Sequence, residues 1–468
     1  MEGFDEAIEG GLPKGSLILL AGEPGTGKTI FSMQFLTKGC KLGEPGVYVG
    51  FAEPRGVLIE DASRHLGVDL AGLEADGRLR ILDYTAVREE AASAILEAVL
   101  RGVEALRAER LVIDSFSAMA QAYKEPIEVR IILHTVLGRI VRGLGCTTIM
   151  VVEVPVGESR MGLGMEEFVA DGVLRLRAGE LDGRLFRDLE IVKLRGTRLS
   201  ERKIAYTLEK GFKALPPFKP KPVEKPSRFK PIPDPPGKYS TGSEDLDAVL
   251  EGGFDQGDAV LLEIGERVSI PGYLPVLAPT MLNFIAQGRG VLLIPSPGVD
   301  AEKARAVGLS YGLTDDEINR LLRVFEPRTL SVGESKPYVV GFEAEDPWTT
   351  YSKYIGIEEE LRRTTNQPVL SVSSANTLAS YYGEAVCEKI LGQEAIRIRK
   401  HGSLGIIVMK PGHENLTRKL SSIAATHLKI VREHGCLLLY GLKPRTGLYA
   451  AEMDTSKGYP LPKLTPII

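Results

Sequence analysis

Cysteine, tryptophan and the side-chain amides are scarce in this chain of 468 residues. Its four cysteines (Cys40, Cys146, Cys387, Cys436) are far apart and form no CxxC pair. That argues against a zinc site or a disulfide framework and points to a reducing cytoplasm. Six Gln and five Asn stand against 120 charged residues (58 basic plus 62 acidic), a composition that leans towards a thermophile. No apolar run approaches 18 residues, so no membrane-spanning helix is expected. The start, MEGFDEAIEGG, is acidic and lacks the layout of a signal peptide. A net charge of −4 gives no general electrostatic case for nucleic acid or a membrane surface.

What is present is a chain organised around residues 15–35, GSLILLAGEPGTGKTIFSMQF. Ser16–Ala21 reads as a buried strand, and Ile30–Leu36 as the start of a helix with Phe31 and Phe35 on a core-facing stripe. Between them, Gly22, Glu23, Pro24, Gly25, Thr26, Gly27, Lys28 and Thr29 fit the phosphate-loop pattern. Glycines let the backbone approach phosphate closely. Successive N–H groups then converge on the anion at a helix N-terminus. Lys28 supplies a point charge for the β- and γ-phosphates, and the Thr29 hydroxyl is a ligand for Mg²⁺. A nucleotide with β- and γ-phosphates and Mg²⁺ are therefore the expected cofactors.

Up to about residue 213, short apolar strands alternate with amphipathic helices. The expected class is α/β, a mostly parallel twisted sheet flanked by helices. Strands are expected at 16–21, 46–51, 110–114, 147–152, 172–177 and 189–194, and helices at 28–39, 56–66, 88–107 and 127–143. Residues 214–237 carry nine prolines, five basic and two acidic residues. They predict a semi-rigid linker without helix or sheet, reaching up to about 60–70 Å at ~3.1 Å per residue.

After it the pattern restarts. Phe4-Asp5…Glu9-Gly10-Gly11 is echoed 242 residues later by Leu246-Asp247…Glu251-Gly252-Gly253. Lys193-Leu-Arg-Gly-Thr is echoed by Lys443-Pro-Arg-Thr-Gly, shifted by 250. Two copies of one fold are expected: a domain at 1–213, the linker, and a second domain at 238–468.

Strand-end residues of the first copy suggest chemistry. Leu111–Asp114 ends in a carboxylate at the edge where open α/β sheets bind ligands. Asp114 reads as a metal-holding acid, or else as a helix cap ahead of Ser115. Glu53 follows another strand and is the candidate for positioning the attacking water, unless it is a solvated loop acid. Glu153 either senses the phosphate or lines the crevice. Lys193 and Arg195 alternate onto one side of a strand. That pattern fits a solvated edge as well as cations reaching a neighbouring subunit's site. His65, His134, Glu166, Glu167 and Trp348 read as structural.

In order, GFDEAIEGGL, the phosphate loop, GVYVGFAEP, LVIDSFS, TTIMVVE, GMEEFVAD and EIVKLRGT resemble the KaiC branch of the RecA-like ATPases, over essentially all of 1–213. The second copy resembles it more faintly. The resemblance implies two RecA-like P-loop domains, ATP as the nucleotide, Mg-dependent ATP hydrolysis to ADP and phosphate, and a homo-oligomer, a hexameric ring with ATP between subunits. It implies that Lys193 and Arg195 contact the γ-phosphate of the adjacent subunit. Of the family's catalytic carboxylate pair only Glu53 remains, because Ala52 stands at the first position. Slow turnover is therefore expected. In the second copy Gly265–Gly272 has no Lys-Ser/Thr pair, Ser373 replaces Asp114 and Pro297 replaces Glu53, which predicts a pseudo-ATPase. Two alternatives stand beside the ATPase: a nucleotide-dependent regulatory scaffold with a protein partner, and a RadA-like DNA-handling ring. The second is poorly served, since 155–164 offers only Arg160 as a cation.

Overall fold

The computed structural model describes residues 1–85, 92–121, 134, 136–157, 169–199, 201–327, 336–342 and 346–468. The N-terminal part of the expected 127–143 helix, residues 88–91, Arg160 and the Glu166-Glu167 pair lie outside them. The chain divides into two compact units. The first comprises Met1–Pro217 with His434–Cys436 and Pro466–Ile468, and the second comprises Phe218–Glu433 with Leu437–Thr465.

The first unit holds a nine-stranded sheet: β1 (Leu17–Gly22), β2 (Gly46–Gly50), β3 (Leu79–Asp83), β4 (Arg110–Asp114), β5 (Thr147–Glu153), β6 (Gly172–Leu181), β7 (Arg184–Leu194), β8 (Lys203–Thr207) and β9 (Lys213–Leu215). Their order is β3-β2-β4-β5-β1-β6-β7-β8-β9. The first six in that order are parallel, and β7, β8 and β9 add antiparallel. Parallel strands covered on both faces read as continuous apolar runs, and every residue of β1 is buried. Alternation sends Leu17, Leu19 and Ala21 into one core layer and Ile18 and Leu20 into the other. The second layer is closed by Phe4, Phe31 and Phe212, whose ring centroids lie 4.8–6.4 Å apart.

The second unit repeats this plan. A two-stranded ribbon of β10 (Lys238–Tyr239) and β11 (Phe254–Asp255) precedes ten further strands. They are β12 (Ala259–Ile264), β13 (Val291–Ile294), β14 (Leu322–Pro327), β15 (Val339–Phe342), β16 (Leu370–Ser374), β17 (Leu404–Met409), β18 (Thr426–Glu433), β19 (Cys436–Lys443), β20 (Tyr449–Asp454) and β21 (Leu461–Pro466). The order β14-β13-β16-β17-β12-β18-β19-β20-β21 matches that of the first sheet strand for strand, and β15 is added at one edge. The repeated Glu-Gly-Gly turns adopt the same left-handed path: φ is 56°, 121° and 113° at Glu9–Gly11, and 54°, 111° and 113° at Glu251–Gly253. Glycine tolerates those angles without a Cβ penalty, which explains why the doublet recurs. Both sheets are thus mostly parallel α/β layers of the expected class.

The proline-rich segment departs from expectation. Ala214 and Leu215 belong to β9. Residues 218–237 have no helix or strand, but they form a strap fixed to the second unit and do not hang free. Phe229 is buried there and its N–H donates to Tyr311 O at 2.8 Å, while Ser227 N–H donates to Gly458 O. The fully buried Asn283 side chain accepts from Ile232 N–H (2.8 Å) and donates to Ile232 O (3.1 Å) and Ser240 O (3.3 Å). Composition shows that a proline run cannot form a ladder; it does not show that its remaining backbone groups find side-chain partners. Asn283→Ala removes three of these bonds. It should lower stability by roughly 2–4 kcal/mol. It should also make 218–237 an early cleavage site in limited proteolysis. A strap as resistant as in the unaltered chain would show that the anchor lies elsewhere.

Candidate functional site

β1 ends at Gly22 and a helix begins at Lys28, so Glu23–Gly27 is a tight strand-to-helix loop. A Cβ on Gly22 would lie 2.6 Å from Thr26 Oγ1 and 2.8 Å from Leu176 O. Gly25 and Gly27 have φ of 76° and 89°. Any larger residue at these positions would strain or block the loop. Its shape is fixed from within by Thr26 Oγ1, which donates to Glu23 O at 2.8 Å. From outside, Tyr206 OH donates to Thr26 O (2.7 Å) and Arg187 Nη1 to Gly25 O (3.0 Å). No side chain caps the Lys28–Leu42 helix, which leaves its first-turn N–H groups for an anion.

Lys28 folds back over this loop, donating to Gly22 O at 3.0 Å and Glu23 O at 2.9 Å. Burial lowers its pKa, partly offset by Asp114, Glu153 and Glu23. The next residue reaches the neighbouring strand: Thr29 Oγ1 donates to Asp114 Oδ2 at 2.9 Å. The same oxygen accepts from Tyr48 OH at 2.8 Å. Asp114 is buried, and its pKa is raised by desolvation against the pull of those hydrogen bonds. Tyr48, on β2, is held protonated well above the usual phenol value by burial first and Asp114 second. Tyr48 escaped sequence reasoning because an aromatic inside a strand reads as core. Its position directly opposite Val112, two residues before Asp114, was the available signal.

The carboxylates group at the same strand ends. Gly22 sits opposite Glu153, whose Oε1 accepts from Ser115 Oγ at 3.4 Å and whose N–H donates to Ser117 Oγ at 2.9 Å. Glu53 and Ala52 lie on the exposed turn after β2, and Phe51 N–H ties that turn to Asp114 O at 2.8 Å. Among the described residues the Glu53 carboxylate has no partner. Lys193 and Arg195 are elsewhere. Lys193 Nζ donates to Ala170 O at 2.6 Å, Arg195 N–H donates to Asp171 O at 2.9 Å, and Asp171 Oδ2 accepts from Leu17 N–H. Both cations therefore flank the start of β1. At about 3.3 Å per residue, the five steps to Gly22 put the phosphate loop roughly 16 Å away.

The donor set suits the groups implied. Thr29 and Asp114 are hard oxygen donors in contact, as a Mg²⁺ site requires. Among the described residues, the matching strand ends of the second unit offer no such set. β13 places Ile294 opposite Ser373 as β2 places Gly50 opposite Asp114, so a hydroxyl stands in the carboxylate's position.

Residues 1–214 match the family described as KaiC, and residues 228–319 match GvpD basic region 2. A UPF0273 protein of Pyrococcus horikoshii is 35% identical over 46% of this chain and 91% of its own length. The circadian clock oscillator protein KaiC of Thermostichus vulcanus is 32% identical over 69% of this chain and 62% of its own. The chain belongs to the KaiC-type, RecA-superfamily P-loop ATPases. Protein GvpD2 of Halobacterium salinarum is similar from end to end, 27% identical over 97% of this chain and 94% of that protein. Here the stretch matching the basic region is acidic, with seven Lys and Arg against fourteen Asp and Glu. No described helix is long and apolar enough to cross a membrane.

Proposed function

We propose that the first unit binds Mg-ATP and hydrolyses it slowly, and that the second unit is a pseudo-ATPase serving assembly or a protein partner. The assembled Lys28, Thr29 and Asp114 cluster carries this reading. Gly22–Thr29 wrap the phosphates, Lys28 exchanges its two carbonyl partners for phosphate oxygens, and Thr29 with Asp114 holds the metal. When bound, Mg²⁺ supplies positive charge to the phosphate oxygens. Tyr48 keeps the Asp114 carboxylate oriented, and Glu53 positions water, with Glu153 lining the crevice beside Lys28. Lys193 and Arg195 serve the neighbouring subunit of a homo-oligomer, a hexameric ring being the arrangement the family resemblance implies.

A regulatory role, with turnover secondary to nucleotide-dependent assembly, is favoured by two features: Ala52 in place of one carboxylate, and end-to-end similarity to GvpD2. Nothing in the described residues favours the DNA-handling alternative.

Phosphate release dependent on both ATP and Mg²⁺ tests the reading. Asp114→Asn should abolish it and yet stabilise the nucleotide-free chain at neutral pH. The sign follows from the raised pKa: the folded state holds this proton more tightly than the unfolded chain. Stability is therefore lost as pH rises through the folded value, and an amide removes that cost while still accepting from Tyr48 and Thr29. Undiminished release by Asp114→Asn would refute the metal role. A lowered melting temperature would refute the electrostatic account.

A further inference from the structure

In the second unit, the crevice at the strand ends has changed sign. Gly22 and Ile264 are each the sixth residue of their strands, β1 and β12. Glu153 lies opposite Gly22; Met409 lies opposite Glu263, so the next residue, Lys410, takes the position of Glu153. With Ser373 for Asp114 and Pro297 for Glu53, the three acids are gone and a cation has been added. Lys410 Nζ donates to Pro297 O at 3.0 Å, and Lys303 Nζ reaches the next carbonyl, Gly298 O, at 3.5 Å. Among the described residues no carboxylate pairs with either ammonium. Desolvation lowers the Lys410 pKa first, and Lys303 lowers it further.

Beside these lysines a narrow cavity runs between the Ile270–Ala286 helix, the sheet and the Ala301–Ser310 helix. With the part open to solvent its free space is about 780 Å³, but the centre of a water-sized sphere reaches only about 70 Å³ of it, so an entering chain must part the lining side chains. Its wall is almost wholly apolar, with Leu277, Ala278, Met281 and Val307 among the lining residues. The polar exceptions are the Tyr273 hydroxyl and, in the Pro295–Lys303 stretch that carries the lysine-bonded carbonyls, Ser296 and Lys303. Lys410 Nζ also lies 5.4 Å from the ring centroid of Tyr273. Small-molecule sites combine such an apolar enclosure with a few convergent polar groups.

We propose that the second unit binds a single-chain amphiphile with an anionic head, its chain in this cavity and its head on Lys303 and Lys410. A carboxylate or a phosphate monoester would satisfy both ammonium groups, each relinquishing one carbonyl. The site uses none of the residues assigned to ATP and stands whether or not the first unit hydrolyses it.

The test titrates the full-length chain with anilinonaphthalene sulfonate, whose fluorescence reports an apolar site, and displaces it with dodecanoate, dodecyl phosphate or dodecyltrimethylammonium. Saturable binding is expected, with either anionic competitor stronger than the cationic one by roughly tenfold or more; the stronger of the two names the head group. Lys303→Glu changes an exposed residue and should remove that preference without unfolding the chain. Ala278→Phe should fill the cavity and weaken all three competitors. Lack of saturable binding, equal displacement by both charges, or a preference unchanged in Lys303→Glu would overturn the proposal. If Ala278→Phe destabilises the fold, the head-group preference and Lys303→Glu still decide.

Discussion

Replacing Lys28 with alanine is expected to lower ATP-dependent phosphate release by roughly 10²–10³-fold, the loss typical of removing one preorganised donor from developing negative charge. The ammonium is already in place, held by the Gly22 and Glu23 carbonyls before any anion arrives. Binding phosphate therefore costs little reorganisation. The substitution should leave the fold intact, because burial already lowers the Lys28 pKa and the charged form adds little to the stability of the free chain. Phosphate release, calorimetric titration with ATP and a thermal melt separate these effects. The expected pattern is lost turnover, weakened nucleotide binding and a melting temperature unchanged or raised. Turnover retained in Lys28→Ala would remove the basis for assigning ATP to this loop.

How much of this could be read beforehand depended on whether a residue's role was local. The phosphate loop was legible because its glycines, lysine and threonine act within one strand-to-helix turn. β1, β2 and β4 were legible because strands buried on both faces leave unbroken apolar runs. β3 alternates at the sheet edge and β9 has only three residues, so neither leaves a comparable signal. Tyr48 needed a partner sixty-six residues away before its hydroxyl had a purpose. The lack of helix and strand in the strap is legible from its prolines, but its anchoring is not, since Asn283 and Tyr311, which hold it, lie far along the chain. The sign change at Lys410 became visible only when strand pairing showed which residue stands where Glu153 does. Sequence spacing alone put Lys193 and Arg195 on one side of a strand but could not say at which end of the sheet they fall.

That end decides the second large effect. Arg195 is fixed by its own N–H to Asp171 O, and its guanidinium is 63% exposed, with Nη1 3.8 Å from Asp171 Oδ1. A side chain beside the start of β1 cannot span roughly 16 Å of strand to reach its own phosphate loop. If Arg195 touches a γ-phosphate, that phosphate belongs to another copy. The weak ion pair with Asp171 is then a resting contact, exposed and easily given up. Arg195→Ala should lower phosphate release by roughly 10³–10⁵-fold, the contribution of a cation supplied to the transferring phosphoryl group from outside. ATP binding should change much less, because Gly22–Thr29 remain complete. Subunits carrying Arg195→Ala keep a sound loop and lack the cation, whereas Lys28→Ala subunits keep the cation and lack the loop. Mixing the two inactive forms should restore activity at interfaces where an intact Lys28 faces an intact Arg195. Recovery should follow the mixing ratio and peak near equal proportions. Two forms that stay inactive under conditions where they demonstrably co-assemble would place Arg195 outside catalysis, and full activity of Arg195→Ala alone would do so at once.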